Sequence, residues 1–392
     1  EVAARAMVLL KNDAVDGAPL LPLDPSRIGS LAVAGRLADR ANTGDNGSSD
    51  VRSPEVVTPL DGLRAALPGT RIDFIGEDAE DAARAAAGAD AALVVVGYTA
   101  ADEGEYIEAG AFLAPDLVAT YPPTEGDEWA ESFLSPTADG ERDGSIVGGS
   151  AGGDRASLRL HDDEVALIRA VAAANPRTIV AIVAAGAVIT EEWRHEVPAV
   201  LLSWYAGSEG GAALADVLTG AVDVSGRLPF SVPTSEEHLP FFDRDATAIT
   251  YDRWFGQRLL DRLGVSAAFP LGYGLSYTTF EIAELELGEV AGESFGARVT
   301  VRNTGNRDGR HVVQLYGEPQ GAGDDFPARV LLGFASVAVA AGATETVEVR
   351  GSVRPLLRWS GGGFTPAADE AIVRAAANAA DLDGPSGRLR LG

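Results

Sequence analysis

The chain has 392 residues, enough for roughly two or three domains with well-filled cores. Its 58 acidic against 31 basic side chains leave a net charge of −27, a field that repels phosphate backbones and anionic bilayers, so neither nucleic acid nor membrane is an expected partner. The absence of cysteine excludes disulfides, thiolate catalysis, iron–sulfur clusters and thiolate zinc sites, and no apolar run reaches the ~18 residues that span a bilayer.

Glu1 to Leu10 has the character of the middle of a helix, with no initiator Met, basic n-region or cleavage site; the expectation is a chain entered part-way along an element, with something removed from its front. Short buried-type strands follow at Leu31–Ala34, Arg71–Ile75, Ala91–Gly97, Thr178–Ala184 and Ala199–Ser203. Continuous apolar runs of this length are strands covered on both faces. Between them, Asp78–Ala89, Asp162–Ala174 and Gly210–Leu218 carry helical apolar spacing. The alternation predicts an α/β fold, a mainly parallel sheet flanked by helices.

Glu105 to Gly153 has little periodicity and many Pro, Gly and acidic residues, which reads as a long insertion at a strand end. Phe269 to Phe280, dense in Gly and Tyr, is a boundary; after about Ile282 alternating strands appear at Gly296–Arg302, His311–Tyr316 and Thr344–Arg350, separated by Asn/Gly turns. That rhythm predicts a small all-β sandwich of immunoglobulin-like type. Trp254, Phe255, Tyr273 and Tyr277 are spaced for packing at the boundary.

Among chemistry-bearing strings, a phosphate-binding P-loop fails because the only lysine is Lys11, outside any glycine loop. Gly148-Gly-Ser150-Ala-Gly152 fits a serine nucleophile elbow, with His161, His195, His238 and His311 as candidate bases, but five glycines nearby make the match nearly free. Tyr98-Thr-Ala-Ala-Asp102-Glu103-Gly104-Glu105 follows directly on the strand ending at Gly97. Ligands in open α/β sheets bind beyond the carboxyl ends of strands, and crowded carboxylates that are partly buried raise one another's pKa towards that of a general acid. The competing reading is a solvated acidic turn. Ser203-Trp204-Tyr205 to Gly211 reads as helix-opening structure, and Thr43 to Asp50 as a ligand loop or a turn.

Several strings in order resemble the family 3 glycoside hydrolases, the β-glucosidase-like group: Val8-Leu-Leu-Lys-Asn12, Thr58-Pro-Leu-Asp-Gly-Leu63, Asp154-Arg155, Trp204-Tyr-Ala-Gly-Ser-Glu-Gly-Gly211, Ser225-Gly-Arg-Leu-Pro229, Phe269 to Phe280 and Val299 to Gly305. The resemblance implies an α/β sandwich domain over 1–280, with the insertion at about 105–153, and a fibronectin type III-like domain over 281–392. It also implies retaining hydrolysis of a glycoside or oligosaccharide, with no cofactor, and an aspartate nucleophile on an N-terminal barrel, in cis or as a separate chain, that nothing in this sequence matches. The family's Glu-Gly-x-Asp-Arg string would place its acid/base at Ala151, ahead of Asp154-Arg155. Glu103-Gly104 supplies the Glu-Gly half instead if residues 105–153 are inserted before Asp154. Glu103 is therefore the implied general acid/base, with Glu105 as runner-up; Tyr98, Asp102, Glu105 and Trp129 are the implied substrate contacts, and Arg155 pins the loop. A non-catalytic carbohydrate-binding module and a serine hydrolase acting through Ser150 are the alternatives. Sugar, linkage and cellular compartment are not readable.

Overall fold

The computed structural model describes residues 1–44, 53–104, 123, 126, 155–243 and 245–391. In its first part a short helix, α1 (Val2–Ala6), leads into β1 (Val8–Asn12) and a two-residue hairpin of β2 (Ala14–Val15) and β3 (Ala18–Pro19). Then follow β4 (Ser30–Ala34), α2 (Pro59–Ala66), β5 (Arg71–Phe74), α3 (Ala79–Ala87), β6 (Ala91–Gly97) and the single turn α4 (Ala100–Glu103). Beyond residue 154 come α5 (Asp162–Ala174), β7 (Thr178–Val183), β8 (Ala199–Leu202), α6 (Gly210–Thr219) and α7 (Gln257–Leu263). The strands form one six-stranded sheet in the order β1-β8-β7-β6-β4-β5. All neighbours are parallel except β1, which runs antiparallel to β8.

The helical expectation for Glu1 to Leu10 is therefore half right. Val2–Ala6 is helical, but Val8, Leu9 and Leu10 are buried in an edge strand. An isolated apolar triplet carries no period, and pairing with Leu201 and Leu202 decides it. Lys11 completes that edge, its ammonium donating to the carbonyls of Arg194 at 2.8 Å and Val197 at 2.7 Å.

Every residue of β6 and β7 is buried because both sheet faces are covered. Alternate residues sort onto two cores: Leu31, Val33, Leu93, Val95, Ile179 and Leu201 pack on one face with Leu60 and Leu63 of α2 and Leu214 of α6. On the other, Ala32, Val94, Val96, Val180 and Ile182 pack with Ala82 and Ala86 of α3 and Val165, Ile168 and Val171 of α5. This period-2 division of a continuously apolar strand is what a two-faced sheet demands.

The second part is all β. Strands β9 (Phe280–Leu287), β10 (Ser294–Asn303) and β13 (Thr344–Ser352) make a three-stranded sheet; β11 (Gly309–Pro319), β12 (Val330–Val339), β16 (Glu370–Ala376) and β17 (Ser386–Arg390) make a four-stranded one; β14 (Leu357–Ser360) and β15 (Gly363–Pro366) form a hairpin. Phe295, Ala297, Val299 and Val301 alternate inward from one sheet to meet Val313, Leu315, Val373 and Ala375 of the other. The two parts are tied by polar contacts. Asp223 accepts from the Ser276 hydroxyl at 2.8 Å and from the Tyr277 and Arg310 amides at 3.1 and 2.9 Å, and Gln314 donates to the Gly272 carbonyl at 3.0 Å. Tyr277 and Tyr273 pack against the two cores of the α/β part, whereas Phe255, which the sequence groups with them, is 56% exposed.

His311 is buried in this region against the Phe280 ring, and neither of its ring nitrogens has a partner among the described residues. Burial, with Arg227 nearby, pushes its pKa down to about 3. The unfolded chain therefore binds the proton first, so His311 stabilises the fold above the unfolded pKa of about 6.5 and loses that stabilisation as pH falls towards 3. Between pH 7 and 5 this side chain is expected to cost the fold about 2 kcal/mol. Thermal unfolding of His311→Leu should show a correspondingly shallower loss over that interval than the parent chain; parallel curves would show that the imidazole is protonated in the folded state.

Candidate active site

The site grows from the carboxyl end of β6. Gly97 closes the strand with φ +134°, and an added Cβ would stand 1.9 Å from the Val183 carbonyl oxygen of β7, so only glycine lets the two backbones come this close. The chain then turns at Thr99, the N-cap of α4. The Thr99 hydroxyl accepts from the Ala101 amide at 3.2 Å, while the Asp102 carboxylate accepts from the Thr99 amide at 2.8 Å and the hydroxyl at 3.0 Å. This reciprocal cap makes one turn of helix from four residues and throws Glu103 across the ends of the neighbouring strands.

There Glu103 meets three donors. Its Oε1 accepts from the Ala185 amide, just past β7, at 2.9 Å and from the Tyr205 hydroxyl, just past β8, at 2.6 Å. Its Oε2 pairs with Nε of Arg155 at 2.9 Å, and both side chains are largely buried, at 9% and 12% exposure. Arg155 also donates to the Ala187 carbonyl at 3.2 Å and lies 4.3 Å over the Tyr98 ring. Burial, reinforced by the Glu103 carboxylate, raises the Tyr205 phenol well above its ordinary value, so it remains a hydrogen-bond donor.

The other expected contacts lie beneath this surface. Tyr98 is 2% exposed, its hydroxyl donating to the Arg159 carbonyl; burial raises its pKa, and its ring serves as the floor for Arg155. Asp102 pairs with Arg36 at 3.3 Å and His161 at 2.9 Å in addition to its cap. Burial pushes its carboxyl up, but the Thr99 donations and Arg36 outweigh that and hold it below the ordinary carboxylate value. Glu164 of α5 completes the layer, accepting from the Gly97 amide at 3.1 Å and from Arg36 at 3.3 Å; burial raises its pKa despite those donors. Asp102 and Tyr98 thus have their polar atoms turned to the protein itself. Glu105, Trp129, Ser150 and most of the Thr43 to Asp50 loop lie outside the described residues.

Glu103 and Arg155, far apart in the chain, are thus brought together. Tyr205 lies in the stretch that the sequence presents as helix-opening structure; it joins the site because β8 lies beside β7, which in turn borders β6.

Residues 7–277 match the family described as Glycosyl hydrolase family 3 C-terminal domain, and residues 311–365 the Fibronectin type III-like domain. The chain is 31% identical over 329 residues to Beta-glucosidase BoGH3A of Bacteroides ovatus, covering 81% of this chain and 41% of that protein. It is 28% identical over 382 residues to an Exo-alpha-(1->6)-L-arabinopyranosidase of Bifidobacterium longum, covering 92% of this chain and 44% of that one. Among solved structures, the Beta-D-glucoside glucohydrolase of Trichoderma reesei superposes with a TM-score of 0.81 at 23% identity, over 100% of this chain and 55% of that chain. The GH3 beta-glucosidase of Bifidobacterium adolescentis superposes with a TM-score of 0.76 at 25% identity, over 99% and 52%. The chain spans less than half the length of the curated relatives it matches. Its α/β sheet, its β-sandwich and these matches agree: the chain belongs to glycosyl hydrolase family 3 and carries that family's C-terminal domain.

Proposed function

We propose that this chain is the C-terminal part of a retaining, exo-acting β-glycosidase of β-glucosidase type, dividing near residue 280 into the α/β domain and the fibronectin-like domain. Glu103 is its general acid/base. The observation that carries the reading is the position of Glu103 at the carboxyl ends of three adjacent parallel strands, paired with the Arg155 that completes the split string. The names of the relatives, β-glucosidases and an arabinopyranosidase, support a glycoside as substrate.

In the mechanism this implies, an aspartate of a barrel not contained in the chain attacks the anomeric carbon. The glycosidic C–O bond breaks as the Glu103 proton passes to the leaving oxygen. Glu103, now a carboxylate, then takes a proton from water, whose oxygen displaces the enzyme aspartate. Retaining chemistry needs the two carboxyls about 5–5.5 Å apart, so the barrel must seat against the strand ends that carry Glu103. For the first step a Glu103 oxygen must be freed from Tyr205 and Ala185 or from Arg155 and carry its proton towards the sugar.

Alone, the chain is expected to hydrolyse aryl glucosides at no more than background. A rate on the isolated chain that disappears with Glu103→Ala would overturn the division of labour between barrel and this domain. Tyr205→Phe, tested in a protein carrying both parts, removes one hydrogen bond to a charged group, worth about 1.5–3 kcal/mol, and is expected to lower kcat by roughly tenfold or more. An unchanged kcat would mean that Tyr205 only shapes the loop.

The saturation of Glu103 by three donors also favours a second reading, in which the Glu103–Arg155 pair is structural and the chain is a non-catalytic carbohydrate-binding module. Glycan binding without turnover, even with a barrel present, would establish it.

A further inference from the structure

A groove of about 680 Å³ runs where the α/β part meets the sandwich, a volume typical of a small-molecule site. Its lining includes Trp204, whose φ is +61° and whose indole N–H donates to the Ala6 carbonyl at 2.8 Å, and Phe334 of β12, 66% exposed. Three guanidiniums line it, from Arg5, Arg227 and Arg310, and none of the described residues that line it is Asp or Glu. In a chain with 58 acidic and 31 basic side chains, a concave surface with only positive charge runs against the composition.

The arginines are also incompletely paired. Arg5 meets Glu1 at 2.7 Å in an exposed pair. Arg310 donates to the Ser336 hydroxyl at 3.2 Å and makes no ion pair among the described residues. Arg227 spends Nη1 on the carbonyls of Ser225 and Gly226, at 3.1 and 2.8 Å, and its Nε is buried without a partner among the described residues. Burial lowers its pKa to about 10 although Asp223 and Tyr273 act to raise it, and it remains charged at neutral pH with no carboxylate in ion-pair contact among the described residues. A cation desolvated in this way attracts an anion more strongly than one in open water.

We propose that the groove is a second ligand site, for a ring that carries a carboxylate, either a uronic acid sugar or an aromatic acid. The carboxylate meets the Arg227 and Arg310 guanidiniums, whose planar fork matches it. The ring lies between Trp204 and Phe334, where either the apolar face of a pyranose or an aryl ring finds contact. This does not depend on the role of Glu103.

The test is calorimetric titration of the 392-residue chain with D-glucuronate, benzoate, D-glucose, acetate and triglutamate. Saturable binding of glucuronate or benzoate is expected, at least tenfold tighter than glucose and acetate, weakened by added salt and by about tenfold or more in Arg310→Gln. Phe334→Ala, on an exposed position, must weaken it as well. The tighter of the first two ligands distinguishes a sugar acid from an aromatic one. Equal binding of glucose would remove the role of the arginines, and equal binding of acetate the role of the ring. Tighter triglutamate would make the groove a peptide-docking surface, and no saturation by any of the five would leave it without a ligand. Each of these four outcomes overturns the proposal.

Discussion

Glu103→Gln, in a protein that joins this chain to its barrel, is expected to lower kcat/KM for an alkyl glucoside by about 10²–10⁴-fold, the usual contribution of a positioned general acid. The loss should be much smaller for a dinitrophenyl glucoside, because that leaving group departs as a stable anion and needs no proton. The contrast separates chemistry from scaffolding. The glutamine oxygen can still accept from Ala185 and Tyr205, so the local backbone keeps its partners. What it cannot keep is the ion pair, and a largely buried Arg155 left without its anion costs on the order of 3 kcal/mol. A lowered Tm is therefore expected as well, tempered by the Tyr98 ring that still underlies the guanidinium. Equal losses for the two leaving groups, with the same fall in Tm, would assign Glu103 to the structural reading.

The second large effect concerns the backbone that presents Glu103. Gly97→Ala places a Cβ 1.9 Å from the Val183 carbonyl oxygen and 2.8 Å from its carbon, at a φ that L-residues rarely adopt. Neither obstacle is a flexible side chain, so β6 and β7 must separate where their core is tightest. The expected destabilisation is on the order of 3–5 kcal/mol, a fall in Tm of about 10 °C, with insolubility as the extreme outcome. Gly88→Ala is the control: it lies at the end of α3 with φ −103°, and its nearest neighbour would be the Ala85 carbonyl oxygen at 4.0 Å. It should be neutral or slightly stabilising. Similar melting of the two variants would mean that the strand end yields more readily than a close-packed parallel sheet allows.

The sequence alone determined the parts whose signal is local and periodic. The runs Ala91–Gly97 and Ile179–Val183 are apolar throughout, which only a strand covered on both faces tolerates, and Phe295 to Val301 alternates as a half-buried strand must. The reciprocal cap is equally local, since Thr99 and Asp102 stand three residues apart. Tertiary structure decided the rest, because those outcomes depend on groups distant in the chain. Val8–Asn12 is a strand only through its pairing with Ala199–Leu202. Tyr98 and Asp102, polar residues in a promising loop, are turned inward because Arg155, Arg36 and His161 arrive from other elements to satisfy them. Tyr205 reaches Glu103 only because β8 lies beside β7, a neighbour relation that no spacing in the sequence encodes. The charge of −27 excludes partners by composition alone; folding distributes it unevenly and leaves one groove whose charged lining, among the described residues, is three arginines.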